Sequence, residues 1–285
     1  MRILLAVDGS DQSFEATRAL QHLAPAEEVM VLHVLEGPPK AEPFMMSGAA
    51  LDLYRTMEHQ FREDGEKVLA HATSCLPPHI GRVSCRLETG DPAEMILGTA
   101  EKSSIELIVL GARGLGPVRE LIFGSVSHAV VSHAPCPVLV VKKPLRSLTR
   151  ILIAVEGERD AESAVHFLTA MPFRAAPELT VLNAPQLLQP VFDRPGFDLC
   201  DKEKAREEAQ GFVEEIASRL SSHYRAKGVV RLGPPPTVIL EETETSKPDL
   251  IVIGSHARES PAGFLFRSVS HAVLHHAACP VLILR

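Results

Sequence analysis

Arg2-Ile3-Leu4-Leu5-Ala6-Val7-Asp8-Gly9 opens the chain, and Arg150-Ile151-Leu152-Ile153-Ala154-Val155-Glu156-Gly157 repeats it near the middle. Each copy is a short, unbroken apolar run that ends in an acid and a glycine. Such a run reads as a strand buried on both faces, the pattern of a parallel sheet covered by helices on both sides. The repetition extends outward. Val31-Leu32-His33 matches Val181-Leu182-Asn183, and Ser125-Val126-Ser127-His128-Ala129-Val130 recurs unchanged as Ser268-Val269-Ser270-His271-Ala272-Val273. Cys136-Pro137-Val138-Leu139 recurs as Cys279-Pro280-Val281-Leu282. The period of 143–150 residues makes each copy a domain rather than a solenoid unit. The expected domains are 1–143 and 149–285. The seam, Lys142 to Thr149, is short, so the copies are expected to pack close together.

Within each copy strands alternate with helices. In the first, Ser10 is a helix cap before the stripe Ala16, Ala19, Leu20, Leu23. The second places Ala164, Phe167, Leu168 and Met171 at the same steps. Second strands are expected at Val29–Val34 and Leu179–Leu182, then long helices over Ala50–Leu76 and Leu199–Lys227, the latter stopped by Gly228. Third strands fall near Val83–Leu87 and Val229–Leu232. Third helices start at Pro92 and Pro235, a favoured first-turn residue. Fourth strands are Glu106–Leu110 and Leu250–Ile253, and fifth strands are Val138–Val141 and Val281–Leu284. Strands joined through helices imply right-handed crossovers. The expected fold class is α/β: two tandem doubly wound domains, each a five-stranded parallel sheet with helices on both faces. Glu36–Ala49 and Ala184–Phe197 break the symmetry as long proline-bearing loops above the carboxyl edge.

Composition narrows the function. Hydrophobic residues make up 45% and charged residues 23%, the balance of a globular protein. A net charge of −7 argues against nucleic acid as a partner. No apolar run approaches the roughly 18 residues of a membrane span, and the five-residue run at the start is too short for a secretory signal. A cytoplasmic location is the expectation. Five cysteines without a CxxC pair indicate free thiols rather than a disulfide framework or zinc site.

Ligands of open parallel sheets bind beyond the carboxyl ends of the strands. Two segments of the first copy end there: Val7-Asp8-Gly9-Ser10, and the run from Gly111 to Ser127. Gly111, Gly114 and Gly116 keep the second segment nearly bare, so its backbone can turn tightly and aim N–H groups at an anion. Gly124-Ser125 then opens a helix whose first amides are unpaired and whose dipole end is positive, a natural phosphate seat. Ser125 and Ser127 add hydroxyls.

The spacing Gly111-x2-Gly114-x9-Gly124-Ser125 is similar to the nucleotide-binding signature of the universal stress protein family. The opening strand with Asp8-Gly9-Ser10, Leu32-His33-Val34, Gly90-Asp91-Pro92 and the closing Pro135-Cys136-Pro137-Val138-Leu139 resemble that family too. Two copies in one chain resemble its tandem members. The resemblance implies an adenine nucleotide (ATP, ADP or AMP, with Mg2+ as a companion ion of the phosphates). It places Ala6, Val7 and Asp8 at the first strand's end, with Asp8 on the adenosine side. Val34 and Leu110 would frame the adenine. Gly111, Arg113 and Gly114 would line ribose and phosphates, and Gly124, Ser125, Val126 and Ser127 would hold the phosphates at the helix start. Nothing in the motif requires Arg119.

The second copy departs from this pattern. Gly254-Ser255-His256-Ala257 leads to Arg267-Ser268, so alanine replaces the second glycine and arginine the third, and Glu156 stands where Asp8 stands. One nucleotide per chain, in the first domain, is the expectation, with Arg267 filling the second site. The alternative is that Arg267 serves as a phosphate cation.

His79-Ile80-Gly81-Arg82 is set aside as a nucleotidyl-transferase motif, because it precedes the third strand and ends in arginine. No phosphate-loop Gly-x4-Gly-Lys-Ser/Thr is present. His271 and His275 have helical ligand spacing, but no carboxylate is fixed beside them. The expected function is a non-enzymatic, nucleotide-dependent regulator of the stress response with a protein partner of unknown identity. In related proteins fifth strands pair across a dimer. Here Val138–Val141 and Val281–Leu284 would pair within one chain as an intramolecular pseudo-dimer, and a homodimer is a further option. Rival functions are a slow ATPase or phosphotransfer enzyme, and a nucleotide-free scaffold or chaperone-like protein.

Overall fold

A computed structural model of the 285-residue chain describes residues 1–36, 48–114, 123–185, 199–255 and 269–285. Two compact units appear: Met1–Gln21 with Pro25–Pro144, and His22–Ala24 with Leu145–Arg285.

The first unit runs β1 (Arg2–Val7), α1 (Asp11–Ala19), β2 (Glu28–Leu35), α2 (Gly48–Ser74), β3 (Arg82–Thr89), α3 (Pro92–Lys102), β4 (Leu107–Gly111), α4 (Ser125–His133) and β5 (Val138–Val141). Its strands lie in the order β3-β2-β1-β4-β5, and every neighbouring pair is parallel. The apolar runs explain the central position of β1 and β4: Ile3, Leu4, Leu5, Ile108 and Val109 are fully buried. Right-handed crossovers then put α1 and α2 on one face and α3 and α4 on the other, because the chain reverses direction across the sheet after β3. Phe14 of α1 meets His71 of α2 edge to face, with ring centroids 4.4 Å apart.

The second unit repeats this with β6 (Arg150–Ala154), α5 (Glu158–Thr169), β7 (Glu178–Asn183), α6 (Leu199–Leu220), β8 (Arg225–Val230), α7 (Pro235–Ser246), β9 (Leu250–Gly254), α8 (Val269–His276) and β10 (Val281–Leu284). Its order is β8-β7-β6-β9-β10, again all parallel. The α/β class with doubly wound parallel sheets is therefore the observed architecture of both units.

The sequence expectation for α6 and β8 needs correction. The helix ends at Leu220, not Lys227, and the strand is Arg225–Val230 rather than Val229–Leu232. Gly228 is no helix stop. It sits within β8 opposite Val181, where a Cβ would come 2.5 Å from Val213 Cγ2, so the bare strand lets α6 lie close. Tyr224 leaves the helix, and its hydroxyl donates to the Leu168 carbonyl at 2.9 Å. Met171 also falls outside its helix, at φ 55°, and is 41% exposed rather than part of the buried stripe.

Both units fasten the amino end of the first strand with an acid that precedes the fourth. Glu106 Oε2 accepts the Arg2 N–H at 2.6 Å. Asp249 accepts the N–H and hydroxyl of Thr149 (2.7 and 2.8 Å), the N–H of Arg150 (3.0 Å) and the Ser147 hydroxyl (3.0 Å). Burial pushes the Asp249 carboxyl up, but these hydrogen bonds together outweigh it and hold it below the usual range.

At the far side of the first unit, α2 outruns its sheet. Gly65, Leu69 and Ala72 seat the helix, whereas no residue from Gly48 to Asp64 is buried.

Candidate functional site

The strand order of the first unit reverses at the β1/β4 pair, so the connections leaving these strands diverge and open a crevice at the carboxyl edge. The segment leaving β1 is Asp8-Gly9-Ser10. Gly9 has φ 86°, a left-handed turn that glycine adopts without penalty. Ser10 caps α1 by accepting the Ser13 N–H at 3.2 Å. Its own N–H and hydroxyl donate to Asp8 Oδ1 at 3.0 and 2.6 Å, which fixes the carboxylate at the crevice wall.

The segment leaving β4 is held from four sides. A Cβ on Gly111 would approach the Gln12 carbonyl carbon to 2.9 Å, so only glycine lets α1 lie this close. A Cβ on Gly114 would overlap Asp8 Oδ2. The Gln12 side-chain carbonyl accepts the Arg113 N–H at 2.7 Å. The Gly124 N–H donates to the Ala112 carbonyl at 2.8 Å, bringing the start of α4 back against the same segment.

The three described helix caps of this unit differ. Ser10 caps α1, and Asp91 caps α3 by accepting the Glu94 N–H at 2.9 Å. Gly124, in an extended conformation, gives α4 no side-chain cap. The amides of Ser125, Val126 and Ser127 belong to the first turn, which has no carbonyl of its own helix to bond. An ordinary side chain fits at Gly124 sterically, since a Cβ there would lie 3.5 Å from the Ala112 carbonyl oxygen and 3.6 Å from Arg113 Cα. Gly124 therefore matters for what it leaves open rather than for backbone strain.

Asp8, Gly111, Arg113, Gly114, Gly124, Ser125, Val126 and Ser127 thus converge on one mouth. Ala6, Val7 and Leu110 lie at the strand ends and are 9%, 4% and 4% exposed, so they offer backbone more than side chain. Val34, half-buried, lies near the end of β2, one step beyond the His33–Val7 pairing and one before its final residue Leu35. The Ser127 hydroxyl is buried and donates to the Gly111 carbonyl at 2.8 Å, so in this structure its proton is directed to the end of β4. Arg119 lies outside the described residues, as do most of Glu36–Ala49 and Ala184–Phe197.

Two residues emerge only in three dimensions. One is Gln12. The other is His33, buried at the end of β2, whose Nδ1 lies 2.7 Å from the Val7 carbonyl and so must carry the hydrogen. The repeat held the clue: Asn183, its counterpart, donates through Nδ2 to the Val155 carbonyl at 2.8 Å.

The equivalent mouth in the second unit, between β6 and β9, carries different groups. Glu156 replaces Asp8. Asp160, the counterpart of Gln12, is 8% exposed and accepts the Glu156 N–H at 3.1 Å. Its carboxylate lies directly over Gly254, where any Cβ would overlap it. His256, Ala257 and Arg267 lie outside the described residues. Among the described residues no group of three His, Cys, Asp or Glu could hold a metal ion, and no helix is long and apolar enough to cross a membrane.

Comparison with known proteins follows the repeat. Universal stress protein Rv2005c of Mycobacterium tuberculosis is 25% identical over 301 aligned positions, covering 99% of this chain and 96% of that protein. Single-unit relatives align with about half of the chain. A universal stress protein of Thermus aquaticus is 40% identical over 144 residues, which is 49% of this chain and 97% of its own length. YxiE of Bacillus subtilis is 31% identical over 150 residues, 50% of this chain and 98% of its own length. A crystal structure of a universal stress protein from Archaeoglobus fulgidus superposes over 100% of this chain and 96% of its own with a TM-score of 0.67, at 20% identity. The family model described as the universal stress protein family matches twice, over residues 1–142 and 147–285, and the chain belongs to that family.

Proposed function

We propose that the first unit binds one adenine nucleotide and that the protein acts as a nucleotide-dependent regulator rather than as an enzyme. The observation that carries this is the uncapped start of α4, facing the glycine-walled segment Gly111–Gly114. Backbone amides at a helix start, with the positive end of its dipole, favour a phosphate group. Asp8, held by two donors from Ser10, is a fixed acceptor for the hydroxyl or amino groups of a nucleoside. An efficient phosphotransferase would need a positioned base and a metal-bearing carboxylate near the terminal phosphate. Asp8 is the one carboxylate among the motif positions, and Ser10 already engages it.

Calorimetric titration of the full chain with ATP, ADP and AMP tests this reading. One nucleotide per chain is expected. Gly124→Arg, which gives the first unit the second unit's residue, puts a long side chain over the open amides and is expected to lower affinity by about a hundredfold or more, comparable to losing several charge-assisted hydrogen bonds. Unchanged affinity in that variant, or two nucleotides per chain, rejects the assignment.

A further inference from the structure

At the position where the first unit has the neutral Gln12, the second has a carboxylate, Asp160. Gln12 and Asp160 both sit on the first turn of the helix that follows the central strand, α1 in one unit and α5 in the other. Both lean on the end of the neighbouring strand, at Gly111 and Gly254. What they do there differs. The neutral Gln12 amide accepts the Arg113 N–H at 2.7 Å and so holds the glycine-walled segment from behind. Asp160 turns back to the Glu156 N–H at 3.1 Å, and its acid lies over the exit of β9.

We infer that the neutral side chain at position 12 is what lets the first mouth admit a polyphosphate. A neutral side chain at 12 positions Arg113 and Gly114 without adding charge to the mouth. The inference rests on the nucleotide reading above. Arg113 Cα and Gly114 N lie only 3.6 and 3.8 Å from where a Cβ on Gly124 would be. The Gln12 amide is thus one hydrogen bond away from the backbone that faces the start of α4. A like charge within several ångströms of a phosphate, in surroundings drier than bulk water, opposes binding strongly. The penalty rises with each phosphate carried.

Gln12→Glu isolates the charge. It keeps the length of the side chain and an acceptor for the Arg113 N–H, and an acid in the first turn of a helix favours the fold. Gln12→Ala removes the acceptor and adds no charge. Both variants of the full chain are titrated with ATP, ADP, AMP and adenosine. Gln12→Glu is expected to weaken ATP about tenfold or more, ADP less and AMP least, and to leave adenosine unchanged. Added salt narrows the ATP loss. Gln12→Ala is expected to weaken the three phosphorylated ligands equally, by a few fold. An equal loss across all four ligands in Gln12→Glu, or no loss, overturns the inference while nucleotide binding by the unaltered chain stands. An unaltered chain that binds none of the four overturns the nucleotide reading, and this inference with it.

Discussion

The mouths of the two units share a skeleton and differ in chemistry. Both lie where the strand order reverses, both begin with a glycine that ends the fourth strand, and both have a side-chain donor on a carbonyl at the exit of the first strand, Val7 or Val155. Around this common frame the first unit has Asp8 and Gln12 where the second has Glu156 and Asp160, and in sequence Gly114 and Gly124 correspond to Ala257 and Arg267. The strand frame recurs in both units while groups beyond its edge differ in charge and size. A parallel sheet needs its buried apolar runs, and it tolerates wide change in the few groups beyond its edge.

The sharpest way to break the comparison, after Gly124→Arg, is to transfer the second glycine's replacement. Gly114→Ala puts a Cβ onto the Asp8 carboxylate, so either the acid or the segment must move. About a tenfold or greater loss of ATP affinity is expected by titration, since misplaced binding groups forfeit roughly 1–3 kcal/mol. Thermal unfolding followed by circular dichroism (the chain has no tryptophan) should change little. Affinity equal to that of the unaltered chain would mean the glycine is not part of the site.

At the opposite edge the inequality reverses, and the second unit is the better fastened. Asp249 collects four donors, whereas Glu106 takes the Arg2 N–H and stands 3.8 Å from the terminal amine. Asp249→Ala is therefore expected to destabilise its unit by about 1–3 kcal/mol, more than Glu106→Ala does in the other. Because the folded carboxyl titrates below its unfolded value, its contribution is complete above the unfolded pKa, near 3.9, and is lost as pH falls through the lower folded value. Denaturant melts between neutral and acid pH would show the gap between Asp249→Ala and the unaltered chain closing. A gap that persists undiminished below the carboxylate range contradicts the assignment.

The smallest effect belongs to Ser127→Ala. Removing its hydroxyl leaves the buried Gly111 carbonyl without that donor, at a cost of about 1 kcal/mol in stability. A direct role on phosphate would instead appear as a loss of affinity with stability unchanged.

The apolar runs made both sheets legible in the sequence, because burial on two faces leaves an unmistakable pattern. The glycine spacing pointed to the carboxyl ends of β1 and β4, the pair at which the strand order reverses. Gly228 misled because a glycine after a long helical pattern looks the same whether it stops a helix or thins a strand. Only the approach of Val213 distinguishes them. Gln12 and Ser127 were obscure for a related reason. Neither is unusual in type, and each acquires its task from a carbonyl or amide about a hundred or sixteen residues away. Hydrogen bonds between distant backbone segments leave no local trace in composition.

The overhang of α2 has a consequence for how the molecule breathes. Its last three turns are anchored by Gly65, Leu69 and Ala72, whereas among residues 48–64 none is buried and Leu53, Met57 and Phe61 are exposed. Amide deuterium uptake should therefore climb steeply along one continuous helix, slow near Leu69 and fast near Leu53, as it does wherever local opening needs no rupture of a core. The helix would then open from Gly48 toward Gly65 while the sheet beneath stays intact.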